Sequence, residues 1–245
     1  MKLLLANGNT TQAVTDIVVA EAIRCAAPGT DITGATARFG VSIVSTEAEN
    51  DIAAHAVLDL LAASYPGHDA AILAISYDTA LSSARQIMPI PIVGMTEAAL
   101  HTACLLGRRY GVISFGGGAR SLMLDVVART GLASRMVAMD IIQPADTAQF
   151  LREGAQDDAI CDAVGRLIAA GAEAVVVCGA AMAGVGHRLQ PRVAVPLLDG
   201  IGCAVRQAEA LVRIGLPPRT PPRRLEAGAA LPGISPELAV RLNGG

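Results

Sequence analysis

Tryptophan is absent from the 245 residues, and only three phenylalanines and three tyrosines are present. The core of such a chain must be built from Ala, Val, Leu and Ile, as in sheets covered on both faces. Charge is sparse too: 17% of residues are Asp, Glu, Lys or Arg, and the formal net charge is −3. No basic block with interleaved aromatics occurs, so no nucleic-acid partner is expected. No apolar run reaches the roughly 18 residues of a membrane span. The opening MKLLLANGNTT lacks a signal-peptide cleavage region and reads as a first strand. Four dispersed histidines leave no zinc-ligand spacing. The five cysteines, Cys25, Cys104, Cys161, Cys178 and Cys203, are odd in number and lack CxxC spacing. Free thiols in a cytoplasmic protein are the expectation.

Short apolar runs alternate with segments of helical period. Strands are expected at 2–6, 32–37, 69–76, 90–93, 110–114, 135–141, 174–177 and 194–198. Helices are expected from the first turn through 26, at 46–64, 97–107, 121–130, 155–170 and 202–214, with a short one before the fourth strand. This alternation predicts an α/β fold with parallel sheets and helical crossovers. The halves also echo one another. DAAILAISYDTA…PIPIVGMTEAALHTA and EAVVVCGAAMAG…VAVPLLDGIGCAVRQA share a pattern of acid, alanine, apolar run, small-residue turn, proline and glycine-bearing turn. KLLLANGNTT and YGVISFGGGAR match in the same way. Two pseudo-symmetric lobes follow, the first formed by 1–97 plus 200–245 and the second by 98–199. The proline-rich stretch after Leu216 is expected to be extended and to lie across a neighbouring subunit.

Ligands of open parallel sheets sit at the carboxyl ends of strands. The turns at 7–11, 76–80, 114–120 and 178–184 leave such ends and are expected around one cleft between the lobes. Asn7, Asn9 and Thr10 place donors at a helix start, either as a cradle for an anion or carbonyl oxygen or as an N-cap. Ser114, Phe115, Gly116 and Gly117 open a second cradle. It lacks the lysine of GxxxxGK[ST] and the full dinucleotide fingerprint, so no nucleotide cofactor is expected.

NGNTT near the start resembles the NPNTT/S signature of the aspartate/glutamate racemase superfamily, especially its hydantoin and allantoin racemases. GMTEAALHTACLLGRRYGVIS resembles the segment after the first active-site turn of that family. AAMAG with VPLLDGIGCAVRQAEALVRIGL resembles the second. The likeness runs from Lys2 to Thr220. It implies two α/β lobes around a cleft, a homo-oligomer, a small-molecule substrate, and no cofactor or metal. It also implies two cysteines, one per lobe, that exchange a proton on opposite faces of the substrate.

The sequence departs from that pattern at both thiols. Against the usual ACFSDPGL, residues 74–81 read AISYDTAL, with Ile75 in the place of the thiol and Ser76 beside it. Against LGCAGMAG, residues 177–184 read VCGAAMAG, with Gly179 in the place of the thiol and Cys178 one position early. One position along a strand turns a side chain to the other face. Cys178 is therefore expected to face the covering helices, unless the strand ends or kinks before it at Gly179.

Four side chains are candidates for chemistry: Ser76, Asp78, Cys178 and His187. Asp78 either orients Ser76 or caps the next helix, and His187 is either catalytic or an exposed bystander. Tyr77, Thr79, Gly179 and Ala180 join the turn residues above as candidate substrate contacts. Glu97 either binds substrate or begins a helix. With both expected thiols missing and both cradles kept, hydrolytic opening of a small cyclic amide or ureide is the favoured expectation. The alternatives are a hydantoin-type racemase, a decarboxylase or lyase with one thiol, and a non-catalytic binder.

Overall fold

A computed structural model describes residues 1–215 and 231–244. Its strands fall into two sheets. β1 (Lys2–Asn7), β2 (Asp31–Thr36), β3 (Ala70–Leu73) and β4 (Ile92–Gly94) pair in the order β2-β1-β3-β4. β5 (Tyr110–Phe115), β6 (Met136–Ile142), β7 (Ala174–Val177) and β8 (Leu197–Asp199) pair in the order β6-β5-β7-β8. Every ladder is parallel. The same strand order occurs twice, which is the pseudo-symmetry that the repeated sequence pattern implies.

Both faces of the central strands are buried, so these strands read as unbroken apolar runs. In β1 and β3, Leu4, Ala6, Ala71 and Leu73 pack towards α2 (Glu47–Ser64) and α3 (Leu81–Ile87). Leu3, Leu5 and Ile72 point the other way, into a core that also holds Tyr110, Val112 and Val176 of the second sheet. The helices α1 (Gln12–Cys25), α4 (Met95–Leu106), α5 (Ala119–Arg129) and α9 (Gly200–Ile214) fill that shared core. On the far side, Ile113, Val175 and Val177 pack with α7 (Asp157–Ala169) and α8 (Val185–Leu189). The lobes thus meet through one continuous apolar interior.

Most expected elements are present, with ends shifted by a few residues. The third strand stops at Leu73 rather than residue 76, which frees Ser76 and its neighbours to form a turn. α6 (Thr147–Leu151), α8 and α10 (Pro236–Leu242) have no counterpart among the expected helices. Segments of five to seven residues are too short to display a helical period. α10 packs on α2, with Leu238 buried and the Arg241 guanidinium donating to the Ile87 carbonyl (3.1 Å) and the Tyr65 hydroxyl (3.1 Å). The proline-rich stretch, up to residue 230, lies outside the described residues. No described helix is long and apolar enough to cross a membrane.

Candidate active site

The turns leaving β1, β3, β5 and β7 converge on a cavity of about 270 Å³. Its wall holds Asn9 from the first turn, Ser76 and Tyr77 from the second, Ser114, Phe115 and Gly116 from the third, and Cys178, Gly179 and Ala180 from the fourth. These are nine of the sixteen expected site residues. Asn7, Thr10, Asp78, Thr79, Glu97, Gly117 and His187 lie outside the lining. His187 is exposed on α8, away from the cavity, so its position corrects the expectation of a catalytic part.

The first turn is held by its own amides. The Asn7 Nδ2 donates to Asn9 Oδ1 (3.0 Å) and Thr15 Oγ1 (3.0 Å), and the Thr11 amide donates to Asn9 Oδ1 (2.9 Å). Thr11, rather than Asn9 or Thr10, is the N-cap of α1. The second turn carries two non-glycine residues at positive φ, Asp78 (47°) and Ala80 (61°). Such conformations persist where surrounding bonds over-determine them. The Asp78 carboxylate does this by accepting the backbone N–H groups of Thr96 (3.0 Å) and Glu97 (2.7 Å) at the start of α4. Of the two sequence alternatives for Asp78, the cap is the one seen, though on α4 and not on the adjacent α3. Burial pushes its carboxyl up to about 7 against the pull of those two amides. Gly94 makes the approach possible, because a Cβ there would lie 2.5 Å from Asp78 Cγ. Thr79 donates to Asn50 Oδ1 (2.6 Å), and Glu97 pairs with Arg85 (2.6 Å). Both therefore serve structure in this arrangement.

The fourth turn decides the question of Cys178. β7 ends at Val177, and Gly179 at φ 125° bends the chain immediately beyond. Cys178 continues the face of Ala174 and Val176 into the shared core, where it is only 2% exposed, and it also lines the cavity. It thus faces the helix-filled core as expected, and the turn at Gly179 also makes it part of the cavity wall. Burial, and next the charge of Asp78, push its thiol up to about 12, while a hydrogen bond with the Thr96 side chain acts in the opposite sense. It is the one cysteine of the five in the lining.

Several wall residues escaped the sequence reading. Ile43, Val44 and Ser45 come from the loop after β2, and Gln143, Asp146, Thr147 and Phe150 from the loop after β6 and α6. Phe150 packs on Phe115 with ring centroids 5.4 Å apart. Both loops follow the outer strand beside the first strand of their lobe, so the internal repeat was the one signal that could have paired them. Among the described residues, no cationic side chain lines the cavity. Among the described residues, no group of three or more His, Cys, Asp or Glu side chains could hold a metal ion.

Two lobes of identical strand order, with a cavity walled by turns from both, define a two-lobed α/β protein. The chain belongs to the Asp/Glu/hydantoin racemase family, whose model matches residues 3–208. It is 25% identical over 218 residues to the hydantoin racemase of Paenarthrobacter aurescens, covering 88% of this chain and 92% of that protein. The allantoin racemase of Klebsiella pneumoniae superposes with a TM-score of 0.90 at 26% identity, over 97% of this chain and 98% of that one. The allantoin racemase of Pseudomonas fluorescens gives 0.82 at 30% identity, over 92% and 99%. These findings overturn the expectation of a hydrolase: the family and these relatives are racemases. The scaffold over residues 3–208 carries the relationship.

Proposed function

We propose that the protein is a cofactor-independent racemase of a small, neutral cyclic ureide of the hydantoin type. The observation that carries the choice of substrate is the cavity lining, which among the described residues offers hydroxyls, amides, one thiol and the Asp146 carboxylate but no cation. A free amino-acid carboxylate would be buried there without a partner, at a cost that a neutral ring avoids. A ring hydrogen next to a carbonyl is acidic because the charge left behind spreads onto that oxygen, and donors facing the oxygen lower the barrier. The Ser114 hydroxyl, in the lining, is the donor assigned to that task.

Inversion needs a proton removed from one face and returned to the other. Cys178 supplies the acid/base group of the second lobe. On the first lobe, Ser76 and Tyr77 are the O–H groups in the wall where the family resemblance expects a second thiol. Five free cysteines suit a reducing compartment, in keeping with a cytoplasmic enzyme.

The test is incubation with single enantiomers of 5-substituted hydantoins, allantoin and free glutamate in deuterated water. Loss of optical rotation with deuterium at the ring carbon is expected for the cyclic substrates alone. Unchanged rotation and no exchange across the series would reject the reading.

A further inference from the structure

Two of the three phenylalanines in the chain stand together in the cavity wall. Phe115 ends β5, Phe150 lies on α6, and their ring centroids are 5.4 Å apart. Phe115 also leans on the fourth turn, since a Cβ at Gly179 would lie 3.5 Å from its Cδ2. The aromatic pair is therefore anchored at the residue next to Cys178. Exposure sorts the rest of the wall into tiers. Asn9, Ser114 and Cys178 are buried, whereas Ser45, Gln143, Asp146 and Thr147 are exposed. Apart from Ser76 and Gly116, the half-buried wall is apolar: Ile43, Val44, Phe115, Pro144, Phe150 and Ala181. Such a tier keeps apolar area in contact with water, and a ligand that covers it is bound more tightly.

We propose that Phe150 determines specificity, and that the ring carbon of the substrate carries an apolar substituent, an aryl or branched alkyl group. This rests on the reading of the cavity as a racemase site for a cyclic ureide. In such a ring the carbon that exchanges its proton also bears the substituent. With that proton at Cys178, the substituent starts from the same carbon and meets the aromatic pair anchored beside the thiol. A polar substituent, such as the ureido group of allantoin, would lay its N–H and C=O groups against these rings without partners. The polar groups of the wall do not offset that loss. Asn9 Oδ1 already accepts from the Asn7 side chain (3.0 Å) and the Thr11 amide (2.9 Å), and Asp146 Oδ1 accepts from the Gln149 amide (2.7 Å). Gln143 and Thr147 are exposed, so a bond to the ligand replaces a bond to water with little net gain.

The test compares racemisation of 5-benzylhydantoin, 5-isobutylhydantoin and allantoin, each kcat/KM being divided by the spontaneous rate of the same ring. In the wild type both apolar rings should exceed allantoin by at least about tenfold, the lower end of what a hydrophobic pocket discriminates. An equal or inverted ratio overturns the proposal and leaves the ureide racemase standing. Phe150→Asn should lower the benzyl-to-allantoin ratio about tenfold, chiefly through a higher KM for the benzyl ring. Phe150→Leu, which keeps an apolar side chain, should hold the ratio within about threefold. An unchanged ratio in Phe150→Asn overturns the role of Phe150. If that variant does not fold, Phe150→Ala is read by the same signs. Should the wild type racemise none of the three, the proposed function falls, and calorimetry then decides the subsite. Benzylhydantoin binding about tenfold tighter than allantoin supports it, while equal binding, or none, overturns it.

Discussion

Cys178 sits where β7 has just ended, with its thiol held protonated by burial and by the carboxylate of Asp78. A thiol in that state is a weak acid that stays protonated, and it removes a proton only when substrate binding or a neighbour changes its surroundings. Cys178→Ala should lower solvent-deuterium exchange at the ring carbon by about 10²–10⁴-fold, the usual contribution of a positioned acid/base group. Exchange of a hydantoin followed by proton NMR checks this. Asp78 makes a separate prediction. Its carboxyl is raised from an ordinary value of 3.8 to about 7, so the folded protein binds a proton that the unfolded chain releases. That contribution to stability is complete below the unfolded value and is lost as pH climbs through about 7. Urea melts of the wild type should therefore lose more stability between pH 4.5 and pH 7.5 than those of Asp78→Asn, and equal slopes would reject the shift.

At the scale of elements, the two lobes anchor their active-site turns with carboxylates placed in opposite ways. In the first lobe the acid is on the turn: Asp78 bonds the start of α4, and glycine occupies the strand end at Gly94. In the second the acid is at the strand end. Asp199 caps α9 through the Gly202 amide (3.1 Å) and also interacts with the Gly184 amide of the turn. A Cβ at Gly186 would approach Asp199 Oδ2 to 3.1 Å, so a small residue again makes room. A further element end reaches the cavity through α2. Thr46 and Glu49 form a capping box there, and Glu49 also accepts the amide of Ser45, a residue of the cavity wall. Thr46→Ala should cost about 1 kcal/mol of stability, the usual value of a lost N-cap, measured by denaturant unfolding.

For the whole molecule, the arrangement of sheets puts the cavity where four strand ends from two lobes converge. The first sheet is closed on its outer side by a helix that arrives from the far end of the described chain. Leu238 of α10 is 2% exposed among Leu60, Leu61 and Ile87 and other side chains of that layer. Leu238→Ala should destabilise the protein by about 2–5 kcal/mol, the range for a buried leucine truncated in a packed core. Thermal melting measures it, and a shift near zero would mean that α10 contributes little to the first lobe. The same view explains the correction of function. The two-lobed fold is shared with the racemases, and the family model spans both sheets.

Strands and helices, their alternation and the internal repeat were legible in the sequence, because buried parallel strands and amphipathic helices leave periodic apolar patterns that depend on neighbours only a few residues away. The turns that bear Ser76, Ser114 and Cys178 were legible for the same reason, as small-residue breaks at strand ends. Which of their side chains enter the cavity was not. Cys178 reaches it because the chain turns at Gly179 directly after it, and Asp78 is kept out because the start of α4 takes up its carboxylate. Thr96, Phe150 and Ser45 gain their places through contacts across long stretches of chain. The sequence by itself determined the layers, the family and the four turns. Only the tertiary structure decided which groups meet, since that depends on how two separately patterned lobes pack about one shared core.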